Sequence, residues 1–279
     1  MNHAIVLIES HDAKGLVHKI SGVLFNHGLN IERNDEFVDK ENNRFFMRTE
    51  IIGQVDHLRL IAELREQLPE DSSVRVVDAS QKKRVAILVT KESHCIGDIL
   101  IRDFSGELHA NIVGVIGNHA TLEPLVAKFG HPFVHIPAEG LDRDAHEEKI
   151  LAQLDAWQPD LIVLAKYMRV LTPRFVAAWE GRIINIHHSF LPAFIGANPY
   201  KQAYERGVKI IGATAHFVNN NLDEGPIIAQ DIIRVNHTHG WEDMRHAGRD
   251  VEKVVLARAL KLVLEDRIFI YNNKTIIFE

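Results

Sequence analysis

The sequence predicts an α/β protein with two domains, and three observations lead to that prediction. The first 78 residues carry strand-like and helix-like patterns in the order βαββαβ. From residue 85 onward, near-continuous apolar strands alternate with helical stretches, which is typical of a doubly wound, mostly parallel sheet. A short polar and basic segment separates the two patterns. We therefore predict an N-terminal domain at residues 1–80, a linker at 81–84 and a C-terminal domain at 85–279.

The N-terminal elements follow from hydrophobic periodicity. Leu, Ile and Val at three- and four-residue spacing indicate two helices, the second of which ends before Pro69. A polar turn at residues 39–42 joins the two middle strands into a hairpin. The predicted elements are a strand at 3–9, a helix from 16, strands at 29–38 and 43–52, a helix at 58–68 and a strand at 73–77.

This order of elements resembles the ACT domain, a ferredoxin-like module that senses amino acids in many family members, often across a dimer interface. The most telling residues lie in the first loop and at the entry to the second strand. They are Asp12, Lys14, Gly15, Gly28, Leu29 and Asn30. The resemblance implies an effector loop, with glycine and methionine as candidate effectors, and a homo-oligomer. A tight turn and a helix end are a second explanation for the two glycines.

The C-terminal pattern predicts an open sheet with helices on both faces. Its buried strands are expected at residues 85–89, 112–117, 161–164 and 183–186, with helices at 96–103, 123–129, 144–157 and 173–179. Two further strands at 210–218 and 226–235, a long helix at 241–264 and a terminal hairpin at 267–278 complete the domain. Ligands of such sheets bind beyond the carboxyl ends of the strands.

Two stretches of this domain carry residues suited to chemistry. Asn185 and His187 are two residues apart on a predicted strand, so their side chains lie on the same face. Asp223 comes shortly before a Gly-Pro turn. An amide that donates to an oxyanion, an imidazole that carries a proton and a carboxylate that tunes the imidazole suit acyl-group chemistry without a covalent nucleophile. The sequence therefore predicts an acyl-transfer or hydrolysis site.

These residues resemble the active-site signature of the enzymes that use 10-formyltetrahydrofolate. The resemblance rests on Asn185-Ile186-His187, Ser189-Phe190-Leu191-Pro192, His216 and Asp223 followed by Gly225-Pro226. Asp223 lies 38 residues after Asn185 and seven after His216. Because several residue types and two long gaps must agree, this composite is more specific than a single short motif.

The same resemblance implies a folate cleft. Residues 164–173 resemble the segment whose backbone, around Arg169, meets the pterin in that family, and the loop at 219–223 would cover the other side. The implied folate-binding residues are Met168, Arg169, Val170, Leu171, Asn219, Asn220, Asn221 and Leu222. Arg169 has a second explanation as a salt-bridged helix residue.

The turn after the first C-terminal strand, Thr90 to Cys95, distinguishes members of this group. Glycinamide ribonucleotide formyltransferases carry a glycine- and serine-rich turn here, whose backbone N–H groups bind the substrate phosphate. In this sequence Glu92 would repel a phosphate. His188 stands where those transferases usually carry a proline, and bulky residues fill the loop at 191–200. With the ACT-like domain, these features are similar to the formyltetrahydrofolate deformylase family over essentially the whole chain.

That resemblance implies water as the formyl acceptor, with formate and tetrahydrofolate as products, a reaction that balances the one-carbon pool and supplies formate for purine synthesis. His187 is expected to polarise the carbonyl and pass a proton, while Asn185 donates to the developing oxyanion. Asp223 would orient the water and hold the protonation state of His187. His216 is expected behind these residues, and His188 would help to locate the water. Burial and the carboxylate act in opposite directions on the charged form of His187, and the sequence leaves the stronger effect open.

Two other functions remain open. The first is a transferase that passes the formyl group to an amine such as glycinamide ribonucleotide or an amino sugar. The second is a non-catalytic regulator that binds folate or amino acids, in which Asp223 is a turn carboxylate bonded to its own backbone. We expect no cofactor and no metal, because the His187-His188 and His237-Thr238-His239 runs have no carboxylate or cysteine at ligand spacing. Cys95 is best explained as a small apolar helix residue.

The composition restricts partners and location. The 32 basic and 38 acidic residues give a formal net charge of -6 and a pI near 6.3, with no basic block, which argues against nucleic acid as a partner. No apolar run approaches the roughly 20 residues of a membrane-spanning helix. A single cysteine and an N-terminus that begins directly with a strand pattern predict a cytoplasmic protein.

Overall fold

The computed structural model describes residues 2–193 and 199–279, and the chain in it forms two units. The first unit runs to Lys82 and the second begins at Lys83, so the division falls inside the predicted linker. The first unit also includes residues 265–269 and 278–279, which the sequence pattern had assigned to the C-terminal domain. The division of the chain into compact units thus differs from the predicted domain boundary at these residues.

Side chains of the third strand explain why the C-terminal residues belong to the first unit. The Arg48 side chain is buried, and its guanidinium donates to the backbone carbonyls of Asp266 and Glu265 at 2.9 and 3.0 Å. Beside it, the rings of Phe46 and Phe269 pack edge to face with centroids 5.6 Å apart. A buried guanidinium that binds two carbonyls and an aromatic pair thus attach the end of the chain to this unit.

The first unit has the predicted βαββαβ order. Its elements are β1 (Asn2–His11), α1 (Leu16–Asn26), β2 (Asn30–Asp39), β3 (Arg44–Gly53), α2 (His57–Gln67) and β4 (Ser73–Asp78). The strands form an antiparallel sheet in the order β2-β3-β1-β4. Both helices bury one apolar face, so Leu16, Ile20, Leu60 and Leu64 lie in the same core.

The second unit contains the remaining elements. They are β5 (Lys83–Val89), α3 (His94–Phe104), β6 (Ala110–Gly117), α4 (Glu123–Lys128), β7 (Phe133–His135), α5 (Arg143–Trp157), β8 (Leu161–Leu164), α6 (Pro173–Ala178), β9 (Ile183–His187), α7 (Pro199–Arg206), β10 (Ile210–Phe217), β11 (Ile227–Arg234), α8 (Trp241–Leu264), β12 (Ile268–Tyr271) and β13 (Lys274–Ile277). A three-residue 3-10 turn precedes α4. The first residues of β12 belong to the first unit.

Seven strands form the main sheet in the order β11-β10-β9-β8-β5-β6-β7. The five strands from β9 to β7 are parallel, and β10 pairs antiparallel with β9 and with β11. Strands β5 and β8 lie in the middle, and their apolar residues are buried, as expected for strands covered on both faces. The prediction of a doubly wound, mostly parallel sheet is confirmed.

The order in which the chain adds strands reverses in the middle of this sheet. From β5 the chain moves outward to β6 and β7, and it then returns to β8 on the other side of β5. The carboxyl ends of β5 and β8 therefore flank the switch point, where open α/β sheets bind their ligands. Two short elements, β7 and α7, were not predicted. Among the residues described, no helix is both long enough and apolar enough to span a bilayer.

Candidate active site

Strands β9 and β10 bring the predicted catalytic residues together. Asn185 and His187 lie two residues apart on β9, so they share one face of the strand. The antiparallel register places His216 of β10 opposite Asn185. On the other side of β9, Leu164 of β8 pairs with Asn185, so the segment after β8 begins beside the same residues. Side chains that are far apart in sequence therefore meet near the carboxyl end of β9.

A chain of hydrogen bonds fixes the orientation of the Asn185 amide. Nδ1 of His216 donates to the carbonyl oxygen of Phe217 at 2.8 Å, which leaves Nε2 of the neutral ring as an acceptor. Nδ2 of Asn185 lies 3.2 Å from this Nε2 and donates to it. The amide and tautomer assignments follow from this network. Since an amide nitrogen carries two hydrogens, Asn185 keeps a second donor for a ligand.

Asp223 contacts both histidines. Its Oδ1 lies 3.2 Å from Nδ1 of His187 and 3.7 Å from Nε2 of His216. Burial raises the pKa of the Asp223 carboxyl, but the hydrogen bond from Nδ1 of His187 outweighs burial and holds that pKa well below its usual range. The carboxylate is therefore ionised at neutral pH. Its backbone has φ 58°, in the left-handed region that a non-glycine residue seldom adopts.

The second ring nitrogen of His187 is buried beside a cavity. Nε2 of His187 is buried and has no hydrogen-bond partner within residues 2–193 and 199–279. The residue lines a cavity of about 310 Å³ with Asn185, His188 and Asp223. Because a buried polar nitrogen without a partner is unfavourable, this atom is suited to a ligand group that enters the cavity.

All of the predicted folate-binding residues line the same cavity. They are Met168, Arg169, Val170 and Leu171 on the segment after β8, and Asn219, Asn220, Asn221 and Leu222 on the loop before Asp223. Met168, Val170 and Leu222 are large apolar side chains that remain about half exposed there. Exposed apolar side chains around a concave site are typical of a surface that a ligand covers.

The segment after β8 is fixed at both ends. The backbone N–H of Met168 donates to Oγ1 of Thr90 at 3.0 Å. At the other end, the Thr172 side chain caps α6, and its backbone N–H donates to the buried carboxylate of Glu147 at 2.9 Å. The cavity wall between these anchors is therefore preorganised.

His188 lies next to His187, with ring centroids 5.2 Å apart. Burial, and to a smaller extent the charge of Lys166, lowers the pKa of His188 to about 3. The imidazole is therefore neutral near pH 7 and carries one donor and one acceptor. A neutral ring of this kind can hold a water molecule, in keeping with the role that the sequence suggested.

The structure reveals a buried cluster that the sequence did not predict. Glu252 of α8 accepts hydrogen bonds from His94 at 2.7 Å and from the Tyr200 hydroxyl at 2.6 Å, and it pairs with Lys166 at 3.1 Å. Most residues of the stretch 249–253 are charged, but Glu252 is only 1% exposed. Lys166 lies in the predicted cleft segment at 164–173, but nothing in the sequence pairs it with α8.

Two residues of this cluster, together with Cys95, have the donor set of a metal site. Potential ligand atoms of His94, Cys95 and Glu252 lie within 4.8 Å of one another. However, the Lys166 ammonium already pairs with Glu252, and burial raises the pKa of the Cys95 thiol well above its usual value. Both features oppose cation binding. Cys95 is a buried residue of α3, as predicted.

The predicted effector residues lie at the start of the first unit. Asp12 and Lys14 are in the loop between β1 and α1, and Gly15, with φ 86°, precedes the helix. Gly28 has φ 67° and leads into Leu29 and Asn30 at the start of β2. Left-handed backbone at both glycines agrees with the turn and helix-end explanation. The effector role stays a prediction.

The loop after Pro192 is described only in part. Leu191 is buried, and its N–H donates to Oγ1 of Thr214 at 3.0 Å. The bulk predicted for this loop falls largely on Phe194, Ile195, Gly196, Ala197 and Asn198, which lie outside the described residues. That prediction stays open.

Comparison with known proteins gives a consistent result over the whole chain. The family model "Formyl transferase" matches residues 83–260, and the "ACT domain" model matches residues 4–70. A formyltetrahydrofolate deformylase of Escherichia coli O6:H1 is 58% identical over 266 residues, which is 95% of each chain. The Haemophilus influenzae protein of that name is 55% identical over 98% of each chain.

Solved structures add the same names. The crystal structure of a formyltetrahydrofolate deformylase from Pseudomonas syringae pv. tomato has a TM-score of 0.96 at 40% identity, and the match covers 100% of this chain and 95% of that one. A glycinamide ribonucleotide transformylase from Symbiobacterium toebii has a TM-score of 0.68 at 31% identity, covering 71% of this chain and 95% of that one. The deformylases thus match both units, whereas this transformylase matches a part.

Proposed function

The chain belongs to the formyltetrahydrofolate deformylase family, and on this premise we propose that Asn185, His187 and Asp223 hydrolyse 10-formyltetrahydrofolate to formate and tetrahydrofolate. The observation that carries the proposal is Nε2 of His187, a buried atom without a partner among the described residues, on a ring that lines the cavity while its Nδ1 contacts Asp223. An imidazole held at one nitrogen and open at the other is suited to proton transfer at a bound substrate.

The reaction needs one bond to form and one to break. Water adds through its oxygen to the formyl carbon, and the carbonyl oxygen becomes an oxyanion. The C–N10 bond then breaks, N10 gains a proton, and formate leaves with one proton released to solvent. The second N–H of Asn185 donates to the oxyanion, and Nε2 of His187 carries the proton that is transferred to N10.

Asp223 supports both steps. Its ionised carboxylate accepts from Nδ1 of His187, which directs the ring's other nitrogen toward the cavity. A negative charge beside the ring also stabilises the imidazolium that forms when His187 takes a proton from water. His216 holds the Asn185 amide, and neutral His188 helps to place the attacking water.

The folate is proposed to lie between the two segments that carry the half-exposed apolar side chains of the cavity. Residues 168–171 and 219–222 line it on the segments after β8 and β10, and both meet the catalytic strand β9. This arrangement supports a flat pterin that is held by backbone groups and apolar side chains, with N10 directed at His187.

We propose that this mechanism uses no metal and no cofactor. The donor set at His94, Cys95 and Glu252 is paired with the ammonium of Lys166, which opposes cation binding there. Prolonged dialysis against a chelator, followed by assay in chelator-treated buffer, is expected to leave kcat unchanged. A loss of activity that Zn²⁺ restores would contradict this proposal.

The transferase alternative is weaker. Glu92, in the turn where such enzymes bind a phosphate, lies 3.4 Å from His94 and 3.5 Å from Arg249, so a carboxylate with its own partners occupies the turn. An acceptor phosphate would have to displace it. The decisive assay measures formate from 10-formyltetrahydrofolate with no amine present. Stoichiometric formate and tetrahydrofolate support hydrolysis, and turnover that requires an added amine would overturn it.

The first unit is proposed to regulate the second through a small amino acid. The ACT match supports an amino-acid effector, with glycine and methionine as candidates at Asp12, Lys14, Gly15, Gly28, Leu29 and Asn30. The test is formate production with and without each amino acid, for the native chain and for Asp12→Ala. A response that the variant retains would contradict this location.

A homo-oligomer and a cytoplasmic location belong to the same proposal. The single, buried Cys95 suits a reducing compartment. Light scattering with size-exclusion chromatography, with and without the amino acid, measures the oligomer. A monomer under all conditions would contradict the first expectation, and recovery of the native protein outside the cytoplasmic fraction would contradict the second.

A further inference from the structure

The cluster around Glu252 is built from four separate parts of the second unit. Glu252 comes from α8, His94 from the start of α3, Lys166 from the segment after β8 and Tyr200 from α7. Both oxygens of the Glu252 carboxylate are used, since Oε1 accepts from Tyr200 and Oε2 contacts His94 and Lys166. The cluster is therefore a closed network at a defined point of the fold.

The desolvation free energy of a buried ion pair can exceed the Coulombic attraction that the pair gains. Lys166 is 3% exposed and Glu252 is 1% exposed. Burial opposes ionisation of Glu252, but the hydrogen bond from His94 and the charge of Lys166 outweigh burial and lower the pKa of the carboxyl to about 2. Glu252 is therefore ionised at neutral pH. A buried pair of this kind calls for a reason other than stability.

The backbone at this point is also unfavourable. Lys166 has φ 62°, in the left-handed region that a long side chain seldom adopts. Across the network, Gly248 of α8 leaves room for the Tyr200 ring, because a Cβ at this position would overlap that ring. Strain at Lys166 and a glycine in a helix interior are two further costs that the network carries.

The network lies at the switch point of the sheet. His94 follows β5 and Lys166 follows β8. These neighbouring strands flank the position where the strand order reverses. The sheet order puts this point on one side of the catalytic strand β9, whereas the strand and loop that carry His216 and Asp223 are on the other side. In an open α/β fold this crevice is the expected seat of a ligand, and here the buried pair of Lys166 and Glu252 lies at it.

Lys166 also forms part of the cavity wall. It lines the cavity with His187 and His188, and Glu252 is buried behind it. The lysine and His188 therefore bound the catalytic cavity next to the switch point. A nucleophile other than water that used the switch-point crevice would have to pass through the space that Lys166 and Glu252 occupy.

We propose that the Lys166–Glu252 ion pair closes this crevice to acceptors larger than water and so determines that the formyl group goes to water. This inference rests on the proposed hydrolysis. Lys166 and Glu252 are selectivity-determining residues in it, held in place by His94 and Tyr200. The Glu252 carboxylate fixes the lysine across the crevice, and the lysine side chain fills the path.

The competing reaction is balanced in the same way as hydrolysis. An uncharged amine adds through nitrogen to the formyl carbon, and the C–N10 bond breaks. The amine loses one proton and N10 gains one, so the products are a formamide and tetrahydrofolate. No oxidant or reductant is needed. Hydroxylamine and glycinamide are suitable probes, because one is close to water in size and the other is larger.

The first experiment compares two double variants. Lys166→Ala with Glu252→Ala opens the crevice, whereas Lys166→Met with Glu252→Gln removes both charges and keeps the volume. Formate and formylated glycinamide are measured together at one glycinamide concentration. We expect the opened variant to raise the ratio of formylated glycinamide to formate at least tenfold over the native chain, and the volume-matched variant to raise it by less than a factor of about two.

Two results would overturn the inference. One is an unchanged product ratio in an opened variant that folds, and the other is an equal rise in the volume-matched variant. Circular dichroism and thermal unfolding establish that each variant is folded. If the opened variant does not fold, the native chain still tests the proposal. The ratio of formylated hydroxylamine to formylated glycinamide must then be larger with the native chain than in the reaction without enzyme. Equal discrimination with and without enzyme would reject closure.

Failure of this inference differs from failure of the proposed function. If the native chain releases formate without an amine but the opened variant formylates nothing, hydrolysis stands and the selectivity role falls. If the native chain releases no formate without an amine, the proposed function itself falls.

Discussion

Nδ1 of His187 lies 3.2 Å from Oδ1 of Asp223, while Nε2 of the same ring, which lines the cavity, is buried and has no partner in the described part of the chain. The ring is thus held at one nitrogen and free at the other. Since the pKa of the Asp223 carboxyl is held well below its usual range, a negative charge stays beside the ring at neutral pH. The pair joins strand β9 and the loop after β10 into one proton-transfer unit.

Replacement of Asp223 by asparagine is expected to lower kcat by about 10²–10⁴, because the amide no longer stabilises the imidazolium and can hold the wrong tautomer. KM for 10-formyltetrahydrofolate should change little. Steady-state formate release measures both constants. Asp155→Asn, at an exposed position on α5, is the matched control and should keep native activity. Equal kcat for Asp223→Asn and the control would refute the assigned role.

Replacement of Asn185 by alanine tests the oxyanion donor. Loss of one such donor is expected to lower kcat by about 10²–10³, with a smaller effect on KM, because the hydrogen bond is made chiefly in the transition state. Single-turnover kinetics separates the chemical step from product release. Asn111→Ala, at an exposed position of β6, serves as the control. An Asn185→Ala variant that raised KM alone would show that the amide binds substrate instead.

The partly buried His188 should make stability depend on pH. Its pKa is lowered to about 3 by burial and by Lys166, whereas the unfolded value is about 6.5. As the pH falls below about 6.5, the unfolded state takes up a proton that the folded state does not, so the free energy of unfolding decreases by up to about 1.4 kcal/mol per pH unit.

Urea unfolding of the native chain and of His188→Asn, at about pH 7, 6 and 5, isolates this contribution from that of the other histidines. The native chain should lose stability relative to the variant as the pH falls. A constant difference between the two proteins would mean that His188 has the same proton affinity in the folded and unfolded chains.

A substitution at Gly225 tests the position of the loop that carries Asp223. A Cβ at this residue would overlap the carbonyl oxygen of Phe217 and lie 3.3 Å from Nδ1 of His216. Gly225→Ala is therefore expected to destabilise the fold by about 2–4 kcal/mol and to lower kcat as the loop shifts. Gly97→Ala in α3 is the control, because its Cβ meets nothing within 4 Å, and it should gain up to about 1 kcal/mol. Similar urea midpoints for the two variants would contradict the expectation.

Regular periodicity made much of the fold predictable. The βαββαβ unit and the buried strands of the second sheet have patterns that their own residues determine, and the two-residue spacing of Asn185 and His187 on β9 correctly puts them on one face. By contrast, β7 has only three residues, too few for a period, and α7 is mostly polar. Sequence pattern alone did not distinguish these two elements from loops.

Residues that meet only through tertiary structure were harder to predict. Glu252 is surrounded by charged neighbours in sequence, and its burial depends on Lys166, which is 86 positions away. Arg48 likewise meets its partners at residues 265 and 266 only after β3 and the chain end have formed. Such pairings leave no local signal, because either partner alone has the composition of an exposed helix or strand.

The left-handed backbone at Lys166 and Asp223 cannot be relaxed without a second cost. Glycine would relieve the backbone strain at either residue, yet it would leave the buried Glu252 without its ammonium or His187 without its carboxylate. A search for heat-resistant variants should therefore find no gain at these two positions. Engineering for robustness should leave them fixed and seek its gains elsewhere in the chain.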